Sequence, residues 1–169
     1  MATPLTMYVP IKQEPPFQAL ALAAVDKFKD GVKAGLDLAG IVHYATLALV
    51  PNMPASPGKP PVGYAGILLM TNFDLAMDPY LGVFWDMGGG IKDAIKAIAM
   101  IAFDPVPPIT KKPQFQKYIN SVNLTPKPTT GEWTNFYQAY DKTVAQILPA
   151  KPTPVVKATA KAAAKKKAK

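Results

Sequence analysis

Two apolar segments, Gly40–Val50 (GIVHYATLALV) and Gly63–Asp74 (GYAGILLMTNFD), constrain this chain more than any other feature. Read as strands, the first alternates Ile41, His43, Ala45, Leu47 and Leu49 with Val42, Tyr44, Thr46, Ala48 and Val50. The second sets Tyr64, Gly66, Leu68 and Met70 against Ala65, Ile67, Leu69 and Thr71. A strand with one wet face shows a clean apolar/polar alternation, because successive side chains point to opposite sides. Neither segment does, so the expectation is a sheet covered on both faces. The link between them, Pro51–Pro61, contains Ser56-Pro57-Gly58 and reads as an exposed loop.

The flanking segments supply the rest of the architecture. Met7–Ile11 reads as a short strand that stops around Pro10, since proline cannot donate to a ladder. Glu14-Pro15-Pro16 opens a helix in which Phe17, Ala21, Ala24, Phe28 and Val32 recur at helical spacing, with Gly35 and Gly40 punctuating its end. Asp78-Pro79 reads as a helix start, with the aspartate as side-chain cap and proline at the first helical position. Gly88-Gly89-Gly90 breaks that helix, and Ile91–Phe103 resumes it until Asp104-Pro105-Val106-Pro107-Pro108. A short helix is expected at Pro113–Val122, a last strand at Glu132–Ala139 and a terminal helix at Asp141–Leu148. The order β-α-β-β-α-(α)-β is the split βαβ, ferredoxin-like arrangement of the α+β class. It places one domain at 1–149 and leaves 150–169 as a disordered Lys/Ala/Pro-rich tail.

Charge divides the same way. The net charge of +8 resembles a nucleic-acid signature, yet residues 151–169 hold seven lysines and no acid. Residues 1–150 keep 12 lysines against 11 acids, a net charge of +1. All 19 basic residues are lysine, so any mechanism built on a bidentate arginine clamp is excluded. There is no cysteine and one histidine, which excludes disulfides, thiolate nucleophiles and intramolecular His-rich metal sites. The N-terminus shows no basic region followed by an apolar run, and no stretch has the ~18 apolar residues of a membrane span. A cytoplasmic protein without a membrane span is expected.

Several short motifs fall in a familiar order: Val9-Pro10-Ile11-Lys12, His43-Tyr44-Ala45-Thr46, Leu68-Leu69-Met70-Thr71-Asn72-Phe73-Asp74, Tyr80-Leu81 and Phe136-Tyr137-Gln138-Ala139-Tyr140. Together they resemble bacterial domains of the dimeric α+β barrel superfamily, a ferredoxin-like group that includes dye-decolourising peroxidases and small-molecule monooxygenases. The resemblance covers roughly residues 5–148 and implies a homodimer, or a pairing with a related chain, built through the sheet. It departs at charged positions: Thr46 replaces an arginine, Leu75 a glycine, and Gly82 with Val83 a pair of acids. Peroxide cleavage needs charged groups to move a proton and stabilise developing charge, and the arginine used in related enzymes is absent. No catalytic residue is therefore carried over.

The candidate ligand-binding residues are His43, Tyr44, Tyr64, Met70 and Trp85. Imidazole supplies a lone pair near neutral pH, so His43 suits a haem ligand or a general base, or equally a hydrogen-bonded histidine at a strand start. The aromatic and methionine side chains suit either a plain core or an apolar pocket enclosed by two sheets. Asn72, Asp74 and Asp78 lack the turn glycine and distal glutamate of a calcium loop and read as strand-end and capping residues. Lys157, Lys161, Lys165, Lys166, Lys167 and Lys169 are the candidate polyanion contacts. They suit nucleic acid or an acidic protein surface by charge alone, or a solvated terminus that keeps the protein soluble. The expected function is a non-catalytic binding or assembly module. The alternative is a protein or enzyme carrying haem or another small apolar ligand near His43.

Overall fold

A computed structural model describes residues 2–27, 32–125 and 142–148 of the chain. Its elements run β1 (Thr3–Pro10), α1 (Pro15–Lys27), α2 (Lys33–Ala39), β2 (Val42–Pro51), β3 (Tyr64–Phe73), α3 (Met77–Met87), α4 (Gly90–Ile101), α5 (Lys112–Val122) and α6 (Val144–Ile147). The strand expected at Glu132–Ala139 and the tail 150–169 lie outside the described residues.

The two apolar segments pair with each other, and β1 joins from the far side. β3 is central, in the order β1-β3-β2, and antiparallel to both neighbours. β1 and β2 are thus parallel with β3 between them, and α1 and α2 make the crossover, as a split βαβ unit requires. Register follows the apolar pattern. Leu5, Met7 and Val9 oppose Thr71, Leu69 and Ile67, which in turn oppose Ala45, Leu47 and Leu49. This set faces the helices, and slipping one residue would turn every member to the other side.

The helices close over that face because their apolar stripes match it. Ile91, Ile95, Ile98 and Ala99 of α4 are buried, as are Phe115, Tyr118 and Ile119 of α5. They join Leu5, Met7, Val9, Ile67, Leu69 and Phe73 in one cluster. Burying each large side chain of this kind contributes about 1.5–3 kcal/mol. Phe73 stacks on Tyr80 of α3 with ring centroids 3.4 Å apart, and Tyr80 meets Phe84 edge-on at 4.4 Å.

Some expectations are corrected. The first helix is described to Lys27 and α2 from Lys33, with 28–31 between them outside the described residues. Gly35 therefore sits inside a helix and does not end one. A Cβ there would come 3.1 Å from the Ile91 side chain, so glycine serves close packing of α2 on α4. Gly40 is the true stop: at φ 62° it takes the left-handed cap, and its N–H donates to the Leu36 carbonyl at 3.2 Å. Asp78 is not the cap of α3. The helix starts one residue earlier behind Ala76, and Asp78 occupies the first turn, where a negative charge suits the helix N-terminus.

The second face of the sheet is the less buried one. It carries Pro4, Thr6, Tyr8, Tyr44, Thr46, Ala48, Val50, Tyr64, Gly66, Leu68, Met70 and Asn72. Among these, Pro4, Gly66 and Asn72 are buried; the others are half-buried or exposed. No described helix covers this face.

Candidate functional site

His43 owes its position to a β-bulge. Val42 opposes Phe73 and Tyr44 opposes Asn72, so two steps along β2 match one along β3, and His43 is the extra residue. The bulge re-aims its side chain toward the end of β3. There His43 Nε2 lies 2.8 Å from Asp74 Oδ1, with the two side chains 7% and 12% exposed. The other carboxylate oxygen, Asp74 Oδ2, accepts from the Val144 N–H at 2.8 Å. The Asp74 N–H donates to the Ile41 carbonyl at 2.9 Å, closing the mouth of the β2–β3 pair.

Val144 is the first residue of α6, and a capping box closes the start of that short helix. The Thr143 N–H donates to Gln146 Oε1 at 2.7 Å, and the Thr143 hydroxyl accepts from the Gln146 N–H at 3.3 Å. One aspartate thus ties a bulged histidine, two strand ends and the start of a helix. An imidazole held by a carboxylate has a fixed orientation, as a general base or a metal ligand requires. With so little of its side chain exposed, His43 gives a solute little access. Among the described residues no group of three His, Cys, Asp or Glu side chains could hold a metal ion.

The other candidate residues separate. Tyr44 and Met70 share the open face, 53% and 40% exposed. They are diagonal neighbours, since Thr46 opposes Met70 and Tyr44 opposes Asn72, a relation within reach of an aromatic ring. Tyr64 stands near the other end of β3, with its backbone gripped by α1. Its N–H donates to Gln18 Oε1 at 2.7 Å, and its carbonyl accepts from Gln18 Nε2 at 3.0 Å and Gln13 Nε2 at 3.1 Å. Trp85 belongs to the helix layer, 5.7 Å from Phe115 between ring centroids, with the Lys92 ammonium 5.1 Å over its ring. The candidate lysines of the tail, 157–169, lie outside the described residues.

Cavities do not regroup these residues. Between sheet and helices lies a space of about 30 Å³ lined by Met7, Leu47, Leu69, Phe84, Ile95 and Phe115 among others. That is room for a water-sized molecule, far below the ~300–1,000 Å³ of a ligand pocket. A groove of about 570 Å³ runs between the end of β1, the Asp104–Ile109 loop and α5. None of the five candidate ligand residues lines it.

Sequence reading missed two organising side chains. Asp74 was read as ending a strand, although an acid directly after Asn-Phe, opposite the only histidine, is the available signal. Gln18 gave no signal, because a glutamine on a helix becomes a clamp only once the hairpin end is beside it. Tyr80 carries a further polar contact inside the core: its hydroxyl lies 3.2 Å from Thr71 Oγ1. Burial pushes its phenol well above the ordinary range, and the Thr71 contact offsets this in part.

Scans against protein-family models, curated proteins and solved structures return no match to this chain. The fold defines the class: a small α+β protein whose antiparallel sheet, three-stranded among the described residues and backed by helices, is compatible with the ferredoxin-like fold. No helix among the described residues is long and apolar enough to cross a membrane.

Proposed function

We propose that this protein is a non-catalytic assembly module, pairing through its sheet with a second copy or a related chain and contacting polyanions through its lysine-rich tail. The observation that carries the reading is the open face of the sheet. Its twelve side chains include no charge, and most remain partly or fully exposed. Water contact with such a surface is unfavourable by about 25 cal/mol per Å² of apolar area, so covering it favours association.

Size sets the strength of that pairing. Three strands of about eight residues, ~4.8 Å apart with ~3.3 Å per residue, span roughly 400 Å². A standard interface buries about 800 Å² per partner. The face alone is therefore a modest interface, and a dimer in the micromolar range is the expected strength. Catalysis is not needed to explain any residue placed so far: His43 and Asp74 hold strand ends and a helix start.

Sedimentation equilibrium of the full chain tests the reading. A concentration-dependent dimer is expected, with a shift toward monomer in Thr46→Lys, which places an ammonium on the exposed face of β2. A chain that stays monomeric at tens of micromolar refutes pairing.

A further inference from the structure

We propose that β2 is the strand by which two copies of this chain join, edge to edge and antiparallel about a two-fold axis, through residues 44–50. This rests on the pairing of two copies proposed above and gives the contact to the strand edge, which extends the sheet and its open face across the dimer.

The two edges of the sheet are treated differently. At the outer edge of β1, the Leu124 N–H donates to the Thr6 carbonyl at 2.7 Å, and the Thr6 N–H donates to Thr125 Oγ1 at 2.8 Å. Asn123 adds an antiparallel bridge to Met7. That edge is covered around Thr6 and Met7. The outer edge of β2 has no partner strand among the described residues.

β2 is also the least buried strand. None of its ten residues is buried, whereas β3 buries Gly66, Ile67, Leu69, Thr71, Asn72 and Phe73. Leu47 and Leu49 point to the helix side and touch the core cluster, yet both remain partly exposed. An apolar strand open at its edge is a template for another chain, and proteins ordinarily guard it with charge, proline or a bulge. Between Tyr44 and Val50 there is none of these. The bulge at His43 and Pro51 lie just outside, so the unguarded stretch has defined ends.

The second copy is the occupant the residues favour. An antiparallel strand pairs with itself in a closed, isologous contact, and an uncharged strand meets its copy without repulsion. A two-fold axis at Leu47 sets Tyr44 against the partner's Val50, Ala45 against the partner's Leu49 and Thr46 against the partner's Ala48. Aromatic meets β-branched, small meets large, and each pair shares one face of the joined sheet. One step further, the bulged His43 would face the partner's Pro51, which lacks an N–H, and pairing stops.

The absence of cysteine makes the test direct. Directly opposed residues across an antiparallel pair have Cα atoms about 4.5–5.5 Å apart, inside the range for a disulfide. Thr46→Cys and Ala48→Cys chains, mixed and oxidised, should give a covalent heterodimer in higher yield than either variant gives alone, at unchanged dimer affinity by sedimentation. Met70→Cys, central on the open face, should cross-link poorly. Efficient Met70 cross-linking without the mixing-dependent β2 product means the sheets stack face to face, which overturns edge pairing and leaves sheet pairing standing. A monomeric wild-type chain overturns both, and is the outcome if another part of the same chain occupies the β2 edge.

Discussion

His43 Nε2 and Asp74 Oδ1 stand 2.8 Å apart across the mouth of the β2–β3 pair, while the second oxygen of the same carboxylate receives the Val144 N–H, also at 2.8 Å. The aspartate therefore joins the histidine to the start of α6. Asp74→Ala removes the contact to His43 and the acceptor at the start of α6, a position where lost capping costs about 0.5–2 kcal/mol. His43→Ala removes one of these contacts and leaves the carboxylate its helix partner. Asp74→Ala is expected to cost roughly 2–4 kcal/mol and His43→Ala roughly 1–2 kcal/mol in denaturant unfolding. The double variant should fall short of the sum, since the two share an interaction. Full additivity would show that the pair is not coupled.

Gly66 offers a sharper steric test. A Cβ there would lie 2.6 Å from the Tyr8 ring and 2.7 Å from the Val9 carbonyl oxygen. Gly66→Ala should destabilise by about 1–3 kcal/mol through overpacking. Tyr8→Ala in the same chain should not restore stability, because the Val9 carbonyl is backbone and cannot step aside. Recovery to the level of Tyr8→Ala alone would show that the ring is the sole obstacle.

The apolar pattern made the pairing of β2 with β3, the second half of β1 (which begins at Thr3, four residues before the expected Met7) and the helix spans from Gly90 onward legible in the sequence. Period and punctuation carry that information locally: Pro10, the glycine run 88–90 and the prolines after Ala102 fall at or beside element ends. That helix runs on through Gly35 was not legible, because glycine ordinarily punctuates a helix and the Ile91 side chain packed against it is distant in sequence. The bulge was invisible for a similar reason. His43 fits a strict alternation in sequence, and only the register with β3 shows that it is the extra residue. Of the candidate site, the grouping of Tyr44 with Met70 follows from strand pairing, whereas Trp85 and Tyr64 went elsewhere because distance across a sheet or along a strand is not encoded in residue type.

Alkaline pH should unfold this protein through its buried phenols. Burial pushes Tyr80 and Tyr118 well above the ordinary value of 10.0. Both stay protonated in the folded chain while the unfolded chain ionises near 10, so the unfolded state binds fewer protons above that point. Stability is thus flat below pH 10 and falls as pH rises beyond it, by a little over 1 kcal/mol per pH unit for each tyrosine. The substitutions should differ at neutral pH. Tyr80→Phe loses the Thr71 contact and should cost about 1 kcal/mol. Tyr118→Phe removes a buried hydroxyl without a hydrogen-bond partner and should be neutral or stabilising. Chemical denaturation of both variants at pH 7 and above pH 10 checks the ordering.

Peroxide turnover after haem reconstitution should be absent or slow. The chain has no arginine, and the imidazole that would approach a haem iron is turned to Asp74 with 7% of its side chain exposed. A Soret band from purified protein, with rapid turnover that His43→Ala abolishes, would overturn this expectation.

Removing residues 151–169 should abolish polyanion binding and leave folding intact. The deletion takes away seven lysines and no acid, lowering a net charge of +8 to +1. Lysine ammonium groups neutralise phosphates as point charges, releasing counterions, so affinity of the full chain for DNA should fall steeply with added salt. Sequence preference should be weak, because these contacts read charge and not base edges. The tail holds no aromatic side chain on which bases could stack, so single strands should gain nothing over duplex beyond charge. The thermal midpoint should stay within a degree or so of the full chain, since surface substitutions away from packed features usually cost within about 0.5 kcal/mol. Fluorescence anisotropy of a labelled duplex at two salt concentrations, with full and truncated chains, decides the point. Equal binding by the truncated chain would move the contact to the nearly neutral domain, and no binding by either at low salt would leave the tail a solvated terminus.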